Sequence, residues 1–117
     1  MSQELLLECS FFIPLRRDVN LSDGMPHLSD AWAWLDDELF ANFGGRTIAP
    51  DEYDGFYRDP DTQERVFDKS RKFLVAIAPT QRAELRSLLA ATCVIFGQKC
   101  IYLSIAGEVE FVTYELP

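Results

Sequence analysis

Between Gln63 and Val112 the spacing of apolar residues changes period twice, from two to between three and four and back to two. Phe73, Val75 and Ile77 alternate with Lys72, Leu74 and Ala76, which predicts a strand over Gln63–Ala78 with one uniformly apolar face. Leu85, Leu88, Leu89, Thr92, Ile95 and Phe96 then recur at helical spacing and predict a helix over Thr80–Phe96. Pro79 stands where the first amide of a helix has no intrahelical acceptor to lose. Gly97 follows the last apolar residue, where a left-handed cap favours glycine. Ile101, Leu103 and Ile105 restore strand alternation over Lys99–Ile105, with Cys100, Tyr102 and Ser104 on the other face. Ala106-Gly107 permits a turn or bulge, and Val109–Tyr114 is strand-like again.

The first half is patterned less evenly. From Gln3 to Ile13 the odd positions Leu5, Leu7, Cys9, Phe11 and Ile13 are all apolar, and the even ones are mixed. This predicts a strand with one buried face, ended by Pro14. Leu15–Ser29 is a long polar loop, of a length that in small domains often serves function. Ser29 or Asp30 is expected to cap a helix running to about Phe43, with Trp32, Leu35, Leu39 and Phe43 facing inward and Phe40 on the flank. Asp36, Asp37 and Glu38 suit its positive end, and Gly44-Gly45 stops it. Trp34 falls nearly opposite the inward stripe, either as a partner surface or under a covering loop. Thr47–Tyr57 reads as an edge strand interrupted by Pro50 and Gly55, and Arg58–Thr62 as a turn.

No repeat or linker divides the chain, so residues 1–117 are expected to form a single α+β domain. The order β-α-β-β-α-β plus a C-terminal strand, with one-faced strands and two amphipathic helices, predicts a ferredoxin-like α/β plait. In that arrangement both helices cover one face of an antiparallel sheet. Asp68-Lys69-Ser70-Arg71 leading into an apolar strand, with a later helix closing on Phe96-Gly97-Gln98, resembles a group of uncharacterised small bacterial proteins of ferredoxin-like fold. The likeness covers the second half of the chain. It implies the fold and brings no known reaction or catalytic residue.

Composition narrows the classes of function. A net charge of −8 opposes nucleic-acid binding, which depends on displacing counterions with Lys and Arg. No apolar run approaches the roughly 18–20 residues that span a bilayer, and no early Lys or Arg marks a secretory signal. Cys9, Cys93 and Cys100 are odd in number and too scattered for zinc, as expected of buried thiols in a cytoplasmic protein.

Signatures of enzyme chemistry are sparse. His27 is the one histidine, so no metal site and no cofactor are expected. Its ordinary reading is a solvated loop residue. Cys93 beside a buried helix face reads as packing rather than as a nucleophile. Asp51, Glu52 and Asp54 crowd a turn and read as a solvated acidic loop rather than a cation site. Topology nominates two places instead. At one end of the sheet Arg16, Arg17, His27, Arg58, Gln98 and Lys99 are brought together as a candidate anion site, opposed by Asp18, Asp23, Asp59 and Asp61 in the same loops. The sheet face opposite the helices carries Glu8, Ser10, Phe12, Ser70, Lys72, Leu74, Cys100, Tyr102 and Ser104. That face is too apolar to be simply solvated and is expected to be covered by a second copy, the chain's own tail or a ligand. On it, Glu8, Lys72 and Tyr102 form a candidate acid–base group, or else an ordinary cross-strand charge pair. The reading favoured by these residues is a non-enzymatic module that binds a protein or small anionic ligand and forms a homodimer through the open sheet face. The alternative is a small dimeric enzyme with a pocket between sheet and helices or between subunits.

Overall fold

A computed structural model describes residues 5–114; Gln3 and Glu4, at the start of the expected first strand, lie outside them. The elements are β1 (Leu7–Pro14), α1 (Ser29–Phe43), β2 (Thr47–Arg58), β3 (Arg65–Ile77), a 3-10 turn (Pro79–Gln81), α2 (Arg82–Ile95), β4 (Cys100–Ile105) and β5 (Glu108–Thr113). The strands form one five-stranded sheet in the order β2-β3-β1-β4-β5, with every adjacent pair antiparallel. The terminal strand therefore extends the sheet beside β4 and does not fold across its open face.

Alternation is what lets the strands bury one face. Cys9, Phe11 and Ile13 of β1, Phe73, Val75 and Ile77 of β3, and Ile101, Leu103 and Ile105 of β4 are all buried. They pack with Leu35 and Leu39 of α1 and Leu85, Leu88, Leu89 and Cys93 of α2 in one core, so both helices lie on the same side. Phe11 and Phe73, opposite each other in the ladder, stack with ring centroids 5.2 Å apart.

Several elements differ in detail from the sequence reading, each for a local reason. Leu28, not Ser29 or Asp30, occupies the cap position of α1, in extended conformation and with no side-chain cap bond. Trp34, expected nearly opposite the inward stripe, is half-buried and packs against the core. Gly55 stays in the β2–β3 ladder opposite Asp68, and only the stretch around Pro50 is irregular, with the register shift falling between Ile48 and Glu52. Gln63 has φ of 63° and belongs to the turn, which delays β3 to Arg65. Thr80 and Gln81 form the 3-10 turn rather than α2, with Gln81 Oε1 accepting the Ala78 N–H at 2.9 Å. Gly97 has φ of 58°, and a Cβ there would lie 3.2 Å from the Arg17 side chain, so two constraints favour glycine.

Candidate functional site

Three connections meet at the end of the sheet where β1 finishes. The Asp18 N–H donates to Gly97 O at 2.9 Å, and Asn20 Nδ2 donates to Asp59 Oδ2 at 3.0 Å. Lys99 Nζ donates to both oxygens of Asp59 and, at 2.6 Å, to Asp61 Oδ2. The expected cations therefore arrive together with carboxylates. Arg17 forms a bidentate pair with Asp23, at 2.6 and 3.0 Å. Gln98 is buried and donates its amide to the carbonyls of Arg16 and Phe96. His27 is packed rather than solvated: its Nε2 lies 2.7 Å from Pro14 O and its ring stands edge-on to Trp32 and Phe96. Arg16 and Arg58 are exposed.

The open face carries a feature that alternation alone does not reveal. Tyr53 of β2, Phe12 of β1, Tyr102 of β4 and Phe111 of β5 form a row of edge-to-face aromatic contacts, with successive centroids 5.4, 5.4 and 5.9 Å apart. Lys72 Nζ lies over the Phe12 and Tyr53 rings, at 5.9 and 5.8 Å. Glu8 is opposite Ala76 while Lys72 is opposite Phe12, so these two are four rows apart and Glu8, Lys72 and Tyr102 do not converge. Ser10 and Leu74 face each other in the next rows, with Ser104 on the far side of Ser10. Ser70, expected on the open surface, is itself buried.

Beside this row lies a cleft of about 280 Å³ lined by Phe12, Tyr53, Tyr57, Asp68, Ser70, Cys100, Tyr102 and Phe111, among others. A wider cleft of about 730 Å³ lies between the β2–β3 hairpin and the loop that precedes α1. The two share Pro14, Asp54, Gly55, Tyr57, Asp68 and Gln98, so they meet at one junction. The smaller is near the low end of ordinary ligand pockets, which span about 300–1,000 Å³, and the wider is within that range.

The junction is acidic and partly dry. Asp18 is buried and accepts hydrogen bonds from the Tyr57 hydroxyl at 3.0 Å and the Asn20 N–H at 2.7 Å. Burial, and then the bond to Asp18, raises the Tyr57 pKa, so the hydroxyl stays protonated and donating. Burial also raises the Asp68 carboxyl, against a hydrogen bond from Ser70 Oγ at 3.5 Å, and Asp18 adds to the rise. Neither Asp18 nor Asp68 is in an ion pair among the described residues. Burial and the nearby Asp18 and Asp68 keep the Cys100 thiol protonated as well. By contrast Cys93 is sealed in the core, its thiol pushed up to about 12 and donating to Val112 O. No group of three or more His, Cys, Asp or Glu is placed to hold a metal ion among the described residues.

The sequence reading passed over Tyr53, Tyr57, Asp68 and Phe111 as site residues and treated Asp18 only as a neutralising charge. Two tyrosines four residues apart on an edge strand, and so on the same face of it, are the available signal: Tyr53 and Tyr57, with Gly55 between them.

Fold and site together define a small α+β domain with a five-stranded antiparallel sheet, two helices on one face and an aromatic, acid-ended cleft on the other. Comparison with protein families finds no match to the chain, and comparison with curated proteins finds none either. Among solved structures, the chain is similar to a phage SAM lyase in complex with S-methyl-5'-thioadenosine. The TM-score is 0.70 at 12% identity, covering 97% of this chain and 95% of that one. A phage SAM lyase in its apo state matches with a TM-score of 0.58, also at 12% identity, over 100% of this chain and 98% of that one. At such identity the likeness concerns the fold. The neighbours are small enzymes, one of them holding a small ligand. No helix among the described residues is long and apolar enough to cross a membrane.

Proposed function

We propose that this chain is a ferredoxin-like α/β plait that binds an S-adenosyl ligand in the open-face cleft and, as a lyase, releases S-methyl-5'-thioadenosine from it. This takes up the enzyme alternative of the sequence reading, with the pocket on the open sheet face instead of between sheet and helices or between subunits, and the likeness to SAM lyases favours it over a non-enzymatic module. The observation that carries it is the coincidence, in one cleft, of an aromatic row and the Asp68 carboxylate, which has no cation partner among the described residues, with Asp18 held behind Tyr57 on the wall of the adjoining wider cleft. A purine stacks on aromatic faces whatever its sequence context, at about 1–3 kcal/mol per base. A sulfonium is a cation, attracted both to ring faces and to Asp68 and Asp18. Burial makes the unpaired Asp68 carboxylate costly, and a bound cation offsets that cost.

Breaking a carbon–sulfur bond of the sulfonium leaves the electron pair on sulfur and yields the neutral thioether S-methyl-5'-thioadenosine. The four-carbon amino-acid portion supplies its own nucleophile: its carboxylate oxygen attacks the γ-carbon as the carbon–sulfur bond breaks, so that this portion departs as a cyclic ester and no water or outside base is consumed. In this reading the aromatic row holds the nucleoside, and Asp68 and the Tyr57–Asp18 pair face the charged portion at the junction with the wider cleft. A homodimer through the remainder of the open face accompanies this reading. Thermal shift with SAM and with S-methyl-5'-thioadenosine tests the binding half: both raise the melting temperature of a protein whose folded state binds them. Neither does so if the cleft is not their site.

A further inference from the structure

The loop from Leu15 to Leu28 forms one wall of the wide cleft, through Leu15, Arg16, Arg17, Asp18, Val19, Gly24 and Pro26. Its far end is paired with its near end through the Arg16–Pro26 bridge and the Arg17 N–H bond to Met25 O, and one titratable side chain ties it to the sheet. His27 Nε2 donates to Pro14 O at 2.7 Å, tying the end of the loop to the end of β1. The ring is clamped by Phe96 and Trp32, at centroid distances of 4.7 and 5.4 Å. With Nε2 as the donor, Nδ1 is the unprotonated nitrogen, and it is buried with no hydrogen-bond partner.

We infer that His27 is a latch that holds the wall of the ligand cleft closed while its ring is neutral and releases it on protonation. A second ring proton would place an N–H and a positive charge at Nδ1, where nothing accepts the one or balances the other. The charged groups around it make this worse. Arg17, itself paired with Asp23, adds a positive charge from the loop, and Arg71 of β3 lies over the other partner of His27, with its guanidinium carbon 4.4 Å from the Trp32 ring centroid. Pro14 and Phe96 bring no charge, and Asp30, in the first turn of α1, is exposed to solvent. Burial, opposed by the Pro14 bond and reinforced by Arg17, lowers the His27 pKa from its ordinary 6.5.

The sign follows from proton linkage. Because the closed state binds the proton more weakly than the open one, opening becomes easier as pH falls through the window between the native pKa and 6.5. The effect is at most tenfold per pH unit for one proton. The ligand consequence rests on the proposed cleft function, but the latch itself is tested without any ligand.

Because His27 is the one histidine of the chain, its ring protons report a single titration. The account expects them to titrate below 6.5. It also expects hydrogen exchange of the Arg17, Asp18 and Ser22 amides, which are bonded within or across the loop, to accelerate relative to the α2 core between pH 7 and 5.5 after correction for intrinsic rates. In His27→Gln, which does not titrate, that extra acceleration disappears. A native titration at or above 6.5, or loop amides that keep a constant ratio to core amides across this range in the wild type, overturns the latch. If the latch passes and no S-adenosyl ligand binds at any pH, it is the proposed function that fails.

Discussion

Lys99 Nζ lies 3.1 and 3.2 Å from the two carboxylate oxygens of Asp59, whose side chain is shut off from solvent. The same carboxylate accepts the N–H groups of Asp61 and Thr62 and the amide of Asn20, so it joins the β2–β3 turn, the loop before α1 and the connection into β4. Donation from Asp61 N–H first, with Thr62, Lys99 and Asn20 against the opposing effect of burial, lowers the Asp59 pKa to about 2. A depressed carboxyl pKa stabilises the fold above the unfolded value near 3.8, and the contribution is lost as pH falls through about 2. Asp59→Asn is therefore expected to lower the melting temperature at pH 7, with the gap to wild type narrowing between pH 4 and 2. Thermal melts across that range check it, and a gap that does not change with pH contradicts it.

Asp68 has the opposite sign. Its carboxyl is raised by burial, so the charged form is disfavoured by the fold and stability from this group grows as pH falls through the native pKa. Asp68→Asn, which removes the charge and keeps the shape, is expected to leave the melting temperature at pH 7 unchanged or higher while weakening the effect of SAM on it. Destabilisation by this substitution would mean that Asp68 holds the hairpin together and has no claim on a ligand.

The part of the open face beyond the aromatic row bears on association. Leu6 and Val109 are 56% and 51% exposed, and half-buried Leu74 lies on the same face. Since β5 extends the sheet, nothing else among the described residues covers them. An apolar patch of about a few hundred Å² is near the upper end of what monomers expose, and its burial is favourable at about 25 cal/mol per Å² before ordering costs. Sedimentation is expected to show a dimer at micromolar concentration, converted to monomer by Leu74→Glu. A wild-type monomer at those concentrations excludes association through this face.

The helices, three of the strands and the buried face were legible because each rests on a local period: Phe73, Val75 and Ile77 on two, Leu85, Leu88 and Leu89 on between three and four. The errors fall where a side chain or backbone angle overrides that period. Gln63 turns left-handed, Gln81 bonds the Ala78 amide, and Trp34 packs against the core from outside the apolar stripe. The cleft was less legible. Tyr57 and Asp18 are 39 residues apart and meet only through strand order, and the aromatic row depends on the registers of all four adjacent strand pairs. Neither relation has a signature in any short window. The loop cations were legible as a cluster, but a sequence does not say which charges pair, and Arg17 and Lys99 both take carboxylate partners.

The most direct measurement is the conversion of SAM by the purified chain, followed by mass spectrometry of the products. The account predicts that S-methyl-5'-thioadenosine accumulates in step with the loss of SAM. Asp68→Asn is predicted to slow it at least about tenfold, equivalent to about 1.4 kcal/mol of transition-state stabilisation. No release above the rate without protein, with neither SAM nor S-methyl-5'-thioadenosine shifting the melting temperature at millimolar concentration, would contradict it.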